Sequence, residues 1–205
     1  MGIDQVVKAV FLDRDGVINR NVLYPDTGAY ESPRNAAAFE LFPDTTESLR
    51  KLENAGFRLF LVSNQPNVAK AKSTLIELQE IHHKLEAALA REAIHFTDFF
   101  YCYHHPDSSV PEYGGPCECR KPSPYFLIKA ATEHGIDLSQ SWMVGDRASD
   151  VECGKRAGVR TILIVADHFH GHDLTNEPTP DNVAGSLGEA TGYILDQVGQ
   201  VVRSA

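Results

Sequence analysis

Hydrophobic residues in this chain fall into two alternating arrangements. Short, nearly continuous apolar runs at residues 6–12 and 57–62 read as buried strands, and 99–103, 142–144 and 161–165 are further candidates. Between these runs the apolar positions spread to helical spacing. Residues 45–55 predict a helix with Asp44 as N-cap and Gly56 as its stop. Residues 74–92 put Leu75, Leu78, Ile81, Leu85 and Leu89 on one face, with Ser73 as cap, and that stripe reads as core. Residues 123–134 carry Pro124 in the first turn and stop at Gly135. Residues 148–157 stop at Gly158, and 186–198 form the last predicted helix. Strand–helix alternation of this kind predicts an α/β fold, a mostly parallel sheet with helices on both faces. Ligands of such sheets bind beyond the carboxyl ends of the strands. Three segments, 19–42, 104–121 and 167–182, are long predicted loops.

The 205 residues fit a single domain, 1–205, and the composition is that of a soluble globular protein. No apolar run is long enough to span a bilayer, and the N-terminus lacks a secretory pattern, so a cytoplasmic location is expected. A net charge of −9 argues against nucleic-acid and membrane partners, which need clustered Lys and Arg. It leaves room for a small anionic substrate, because a metal ion and a few cations can dominate one cleft. A monomer is expected.

Chemistry concentrates where strands end. After the first strand comes Phe11-Leu12-Asp13-Arg14-Asp15-Gly16-Val17. There Asp13 could bind a cation and attack phosphorus, while Asp15 could protonate a leaving oxygen and then activate water. Gly16 permits the tight turn that brings both to one point. Alone, the motif is equally an ordinary turn or part of a calcium loop. Ser63 at the end of the second strand offers a hydroxyl and backbone N–H groups to an anion, although a polar turn is the plainer reading. Arg120 and Lys121 could neutralise phosphate or form a solvated pair. Asp146, after a later strand, is placed to complete an oxygen-rich Mg²⁺ site.

Three of the four cysteines lie close together, in Cys102-Tyr103-His104 and, twelve residues on, Cys117-Glu118-Cys119. Three thiolates and one imidazole suffice for a closed tetrahedral Zn²⁺ site clipping the loop 102–119 at both ends, with unrelated buried cysteines as the alternative.

Taken together and in order, DRDG, the Ser63 strand end, Lys121 and GDRASD resemble the haloacid dehalogenase superfamily of phosphatases. The resemblance spans residues 7–165. It implies a Rossmann-like fold and an aspartyl-phosphate intermediate on Asp13, with Asp15 as general acid/base. Mg²⁺ would be held by Asp13, the Asp15 carbonyl and Asp146, and the phosphoryl oxygens by Ser63 and Lys121. FLDRDGVIN, SNQP, the Cys/His set, CECRKPSP and MVGDR further resemble the histidinol-phosphate and heptose-bisphosphate branch. That branch lacks a mobile cap, and only 49 residues separate Asp13 from Ser63 here. By this resemblance Arg120 recognises substrate, and Asn64, Gln65 and Arg147 line the pocket. A sugar bisphosphate, a heptose bisphosphate first, is the expected substrate, with histidinol phosphate or another sugar phosphate as alternatives. A non-catalytic, zinc-stabilised binding module is the rival of a different class.

Two segments depart from the branch. In the loop after Asn19 only Tyr24 matches, and NVAKAK after SNQP lacks the Arg-Gly found in the heptose enzymes. Elsewhere, His168, His170 and His172 could share a metal, but a solvated loop is the simpler reading. His82 and His83 read as surface residues and Cys153 as a small buried hydrophobe.

Overall fold

The computed structural model describes residues 6–165 and 178–203. Its main sheet has six parallel strands in the order β5-β4-β1-β6-β7-β8. In chain order these are β1 (Lys8–Leu12), β4 (Phe57–Asn64), β5 (Phe96–Cys102), β6 (Trp142–Gly145), β7 (Arg160–Ile164) and β8 (Asn182–Ala184). A separate antiparallel hairpin, β2 (Val22–Tyr24) and β3 (Ala29–Glu31), rises from the segment read as a loop. The helices are α1 (Thr45–Asn54), α2 (Leu75–Arg91), α3 (Tyr125–His134), α4 (Ala148–Ala157) and α5 (Leu187–Arg203). No helix among the described residues is long and apolar enough to cross a membrane.

The period-two alternation of β1 builds both halves of the core. Val10 and Leu12 join Leu49, Leu52, Ile81, Leu85 and Ile194, so α1, α2 and α5 cover that face. Ala9 and Phe11 point the other way, to Leu127, Ala130 and Cys153 of α3 and α4. Each fully buried Leu, Ile or Phe contributes about 1.5–3 kcal/mol of transfer free energy, so β1 is fixed by apolar burial on both sides. Its C-terminal end is therefore a rigid platform.

Several expectations need correction. Helix α2 is capped by Thr74, not Ser73: the Thr74 hydroxyl accepts from Glu77 N and the Glu77 carboxylate accepts from Thr74 N. Ser73 instead donates to Arg34 O. Asp44 makes no side-chain cap to α1 and accepts at 2.8 Å from Gly188 N, in the first turn of α5. Leu75 is exposed, because the buried stripe begins at Leu78. His82, read as a surface residue, is half-buried and edge-on to Phe99 and Tyr101. Strand β8 is three residues of little hydrophobic pattern and was not expected. Cys153 is fully buried, as read. His168, His170 and His172 lie outside the described residues.

Candidate active site

A cleft of about 280 Å³ opens at the carboxyl ends of β1 and β4, and its lining includes Asp13, Asp15, Asn64, Arg120, Lys121, Arg147 and Asp150. Asp13 leaves β1 with its N–H still donating to Val144 O of β6, at 2.9 Å, so the sheet itself orients it. Lys121 is 3 % exposed. Its Nζ lies 3.0 Å from Asp13 Oδ1, 2.6 Å from Asp150 Oδ1 and 2.7 Å from Val62 O. Burial works against this ammonium, but Asp13 and Asp150 outweigh it and raise its pKa.

Asp146, at the end of β6, is the conspicuous group. Both its oxygens are buried and without a hydrogen-bond partner, and the nearest cation, Arg147 Nε, is 3.8 Å away. Burial first, then repulsion from Asp13 and Asp150, pushes its pKa well up. Carboxylate oxygens of Asp13, Asp146 and Asp150 lie within 4.8 Å of one another. Asp150 is already engaged, to Lys121 and as acceptor from Arg147 N at 3.0 Å. The unpartnered Asp146 and the adjacent Asp13 thus form a hard-oxygen donor set that fits Mg²⁺. Gly16 is required beside it: at φ +83°, a Cβ there would stand 2.2 Å from Asp146 Oδ2.

Ser63 is buried at the strand end, its hydroxyl accepting from Gln65 Nε2 at 3.0 Å. Asn64 clasps the Lys121 backbone, accepting from its N–H and donating to its carbonyl, both at 3.1 Å. Gln65 is fully buried behind the cleft, where its amide serves Asp15, Ser63 and Arg14. Arg147 sits at the mouth with about half its side chain exposed, and Arg120 donates to His104 O at 3.0 Å. Asp15 is held down from its usual value; burial opposes this, but Arg14 and the amides of Asn19 and Gln65 prevail.

Cys102 Sγ, Cys117 Sγ, Cys119 Sγ and His104 Nδ1 also converge within 4.8 Å, with Cys117 Sγ 3.6 Å from Cys102 Sγ and 3.3 Å from the imidazole. Burial first pushes both Cys102 and Cys119 up, and for Cys119 the neighbouring thiols add to it; a cation among them would reverse this. Four soft or borderline donors in one cluster fit Zn²⁺.

Sequence reasoning missed Asp150, Lys70, Lys72 and the residues Tyr30, Glu31 and Ser32, all of which line the cleft. The hairpin residues carry no motif and reach the site only because β2 and β3 fold over it. Tyr24, the one expected match in that segment, is structural: its ring lies under the Arg34 guanidinium at 3.8 Å and its hydroxyl accepts from Arg34 N. Asp150 had a signal, since it is the second acid of the GDRASD stretch at the start of α4.

Comparison with known proteins agrees with this geometry. A family model described as HAD-hydrolase-like matches residues 118–190. D-glycero-D-manno-heptose-1,7-bisphosphate 7-phosphatase of Chlorobaculum tepidum is 38 % identical over 93 % of this chain and 96 % of its own. The D-glycero-beta-D-manno-heptose enzyme of Escherichia coli K12 is 35 % identical, covering 93 % and 95 %. The structure of a D,D-heptose 1,7-bisphosphate phosphatase from B. bronchiseptica, complexed with magnesium and phosphate, superposes with a TM-score of 0.77 at 25 % identity, covering 93 % of this chain and 99 % of that one. The chain is thus a phosphatase of the haloacid dehalogenase-like hydrolases, and belongs to the family that contains these heptose-bisphosphate enzymes.

Proposed function

We propose that the protein removes the 7-phosphate of a D-glycero-D-manno-heptose 1,7-bisphosphate, using Mg²⁺, as a single domain in which the loop 102–119 is held by a structural Zn²⁺. The observation that carries the reading is the buried Asp146, its oxygens without a hydrogen-bond partner, beside Asp13, whose carboxylate meets the Lys121 ammonium in a cleft that Lys70, Arg120 and Arg147 also line.

Asp13 attacks phosphorus, and the bond from phosphorus to the sugar oxygen breaks. Asp15, whose pKa the negative charge of a bound phosphate raises so that it takes up a proton, gives that proton to the departing oxygen, then takes one from water as the water oxygen attacks the phosphorylated Asp13. Inorganic phosphate leaves and Asp13 is regenerated. Lys121 and the Ser63 hydroxyl hold the equatorial oxygens of the phosphoryl group while charge spreads over them. Asp13, Asp146 and the Asp15 carbonyl would hold Mg²⁺, which neutralises the repulsion between two anions that must meet. Arg120 and Arg147 serve the second phosphate. Cys102, His104, Cys117 and Cys119 would hold Zn²⁺ with four protein donors, and the ion would then fix the loop that leads into Arg120 and Lys121 rather than act on substrate.

The test is phosphate release from both anomers of the heptose bisphosphate, the corresponding monophosphate and histidinol phosphate. Preference for a bisphosphate, lost in Asp13→Asn, supports the assignment. Efficient turnover of histidinol phosphate without activity on either bisphosphate moves it to the other enzyme of the branch.

A further inference from the structure

Arg14, between the two motif aspartates, takes no part in the reaction above. It is 1 % exposed, and a guanidinium buried that deeply carries a desolvation cost that an apolar residue would not. Most of its contacts go to Asp15. Nε and Nη2 meet Asp15 Oδ1 at 3.2 and 3.0 Å, and Nη2 also lies 3.1 Å from Asp15 Oδ2. The same Nη2 donates to Gln65 Oε1 at 2.9 Å, while Gln65 Nε2 returns to Asp15 Oδ2 at 2.6 Å. Asn19 Nδ2 completes the set on Oδ1 at 2.9 Å. Arg14, Asp15 and Gln65 thus form a closed triangle, tied to Ser63 through Gln65. Arg14 also interacts with Tyr101 of β5, whose hydroxyl is 3.0 Å from His82 Nδ1 of α2.

We propose that Arg14 is a positioning residue, which sets the orientation of Asp15 for proton transfer to the leaving oxygen. The inference rests on the acid/base role given to Asp15. A carboxyl that must meet a departing oxygen gains from a fixed direction, because misplacement by an ångström removes much of the benefit of proximity. Turning Asp15 about its side-chain bonds would break at least two charge-assisted hydrogen bonds. Only a planar fork can make these contacts at once, which is why Arg rather than Lys fits.

The experiment measures kcat/KM, which covers the steps through loss of the leaving group, on two esters with the Mg²⁺-loaded enzyme. One is an alkyl phosphate, whose alkoxide needs a proton, and the other is p-nitrophenyl phosphate, whose phenolate leaves without one. Asp15→Asn supplies the signature of lost acid catalysis, a fall on the alkyl ester of about 10²–10⁴ with little change on the aryl ester. Arg14→Gln is expected to show the same selectivity, with a loss of about 10² on the alkyl ester and under about threefold on the other. Arg14→Lys, which keeps a buried cation and guards against a folding failure, is expected to lose the same ratio to a lesser degree. Equal losses on both esters in Arg14→Gln, or a wild-type ratio in Arg14→Lys, overturn the proposal by making Arg14 a support of the fold alone. If Asp15→Asn itself shows no selectivity, the acid role of Asp15 fails, and this inference falls with it.

Discussion

Replacing Lys121 by Met removes one cation from among three buried carboxylates while keeping the length and volume of the stem. The cavity contribution is therefore small, and the effect is electrostatic. Lys121 Nζ is 3.0 Å from Asp13 and 2.6 Å from Asp150, both nearly inaccessible to water. Removing one partner of a buried ion cluster costs roughly 3–5 kcal/mol, because the charges left behind are uncompensated. The bond to Val62 O belongs to the same network, so its loss is not added separately. For a chain of this size the deficit converts to a Tm lower by roughly 6–20 °C. The raised Lys121 pKa means its contribution is fully present below the unfolded value of 10.5 and lost only as pH rises through the folded one. Lys121 itself thus adds no pH dependence near neutrality, but it holds Asp150 down, so in the variant Asp150 rises further and the deficit is expected to grow with pH. Magnesium is expected to narrow it, since a divalent cation beside Asp13 and Asp146 offsets part of the stranded charge. Thermal unfolding of both proteins in EDTA and in Mg²⁺ reads these terms, and phosphate release is expected to fall by about 10²–10³. A Tm in EDTA within about 2 °C of wild type would refute the reasoning, since the trio would then contribute almost nothing.

The metal-free protein should lose stability as pH rises. Asp146 and Asp150 hold protons more tightly folded than unfolded, so their destabilising effect sets in above 3.8 and grows through their raised folded values. Asp15 is shifted the other way, and the stability it contributes is lost only as pH falls below 3.8. Urea unfolding in EDTA between about pH 4 and 8 checks the sign, and Mg²⁺ should flatten the curve; a rise with pH in EDTA would contradict it. Cys117→Ser should lose bound zinc by elemental analysis, and with it stability and substrate affinity, because Arg120 is anchored to His104 O at 3.0 Å. An active, zinc-free protein with unchanged stability in that variant would remove the zinc from the account.

What could be read from the sequence was whatever a local pattern encodes. The strands β1, β4 and β6 carry continuous apolar runs because they are buried on both faces, and α1 to α4 carry both periodicity and stop residues. The motifs Asp13, Lys121 and Asp146 were legible because each directly follows or precedes such an element. Long-range pairings were not legible. The cap of α2 is an exception that a local pattern does encode, since Thr74 has Glu77 three residues on and Ser73 has Ile76 there. Asp44 looked like the cap of its own helix but serves one 144 residues away in sequence. The hairpin that brings Tyr30 and Glu31 to the cleft depends on Arg34, which binds Asp26 at 2.8 Å and Glu31 at 3.0 Å. No spacing rule links these residues. Gln65 was expected at the cleft wall, yet its amide is consumed by Asp15, Ser63 and Arg14, a network visible only once β1 and β4 are adjacent.

The arrangement of charge also explains how a chain of net charge −9 can take a strongly anionic substrate. Within the cleft most charges cancel in place. Lys72 is spent on Glu31, Lys121 on Asp13 and Asp150, and Asp15 is neutralised from behind by Arg14. What remains is polarised. Deeper in, Asp146 has no hydrogen-bond partner, and its nearest cation, Arg147, stays 3.8 Å away. At the mouth, Lys70, which makes no ion pair among the described residues, stands with Arg120 and the half-exposed Arg147. A negative floor draws a divalent cation, and that cation then invites one phosphate; a positive rim has no use for a lone transferring phosphate already held by Lys121 and Ser63. On the proposed reading, the surplus at the rim is what favours a bisphosphate over its monophosphate. The preference should weaken with salt, since rim charges in water are screened over about 10 Å at 0.1 M while the buried trio at the floor is not.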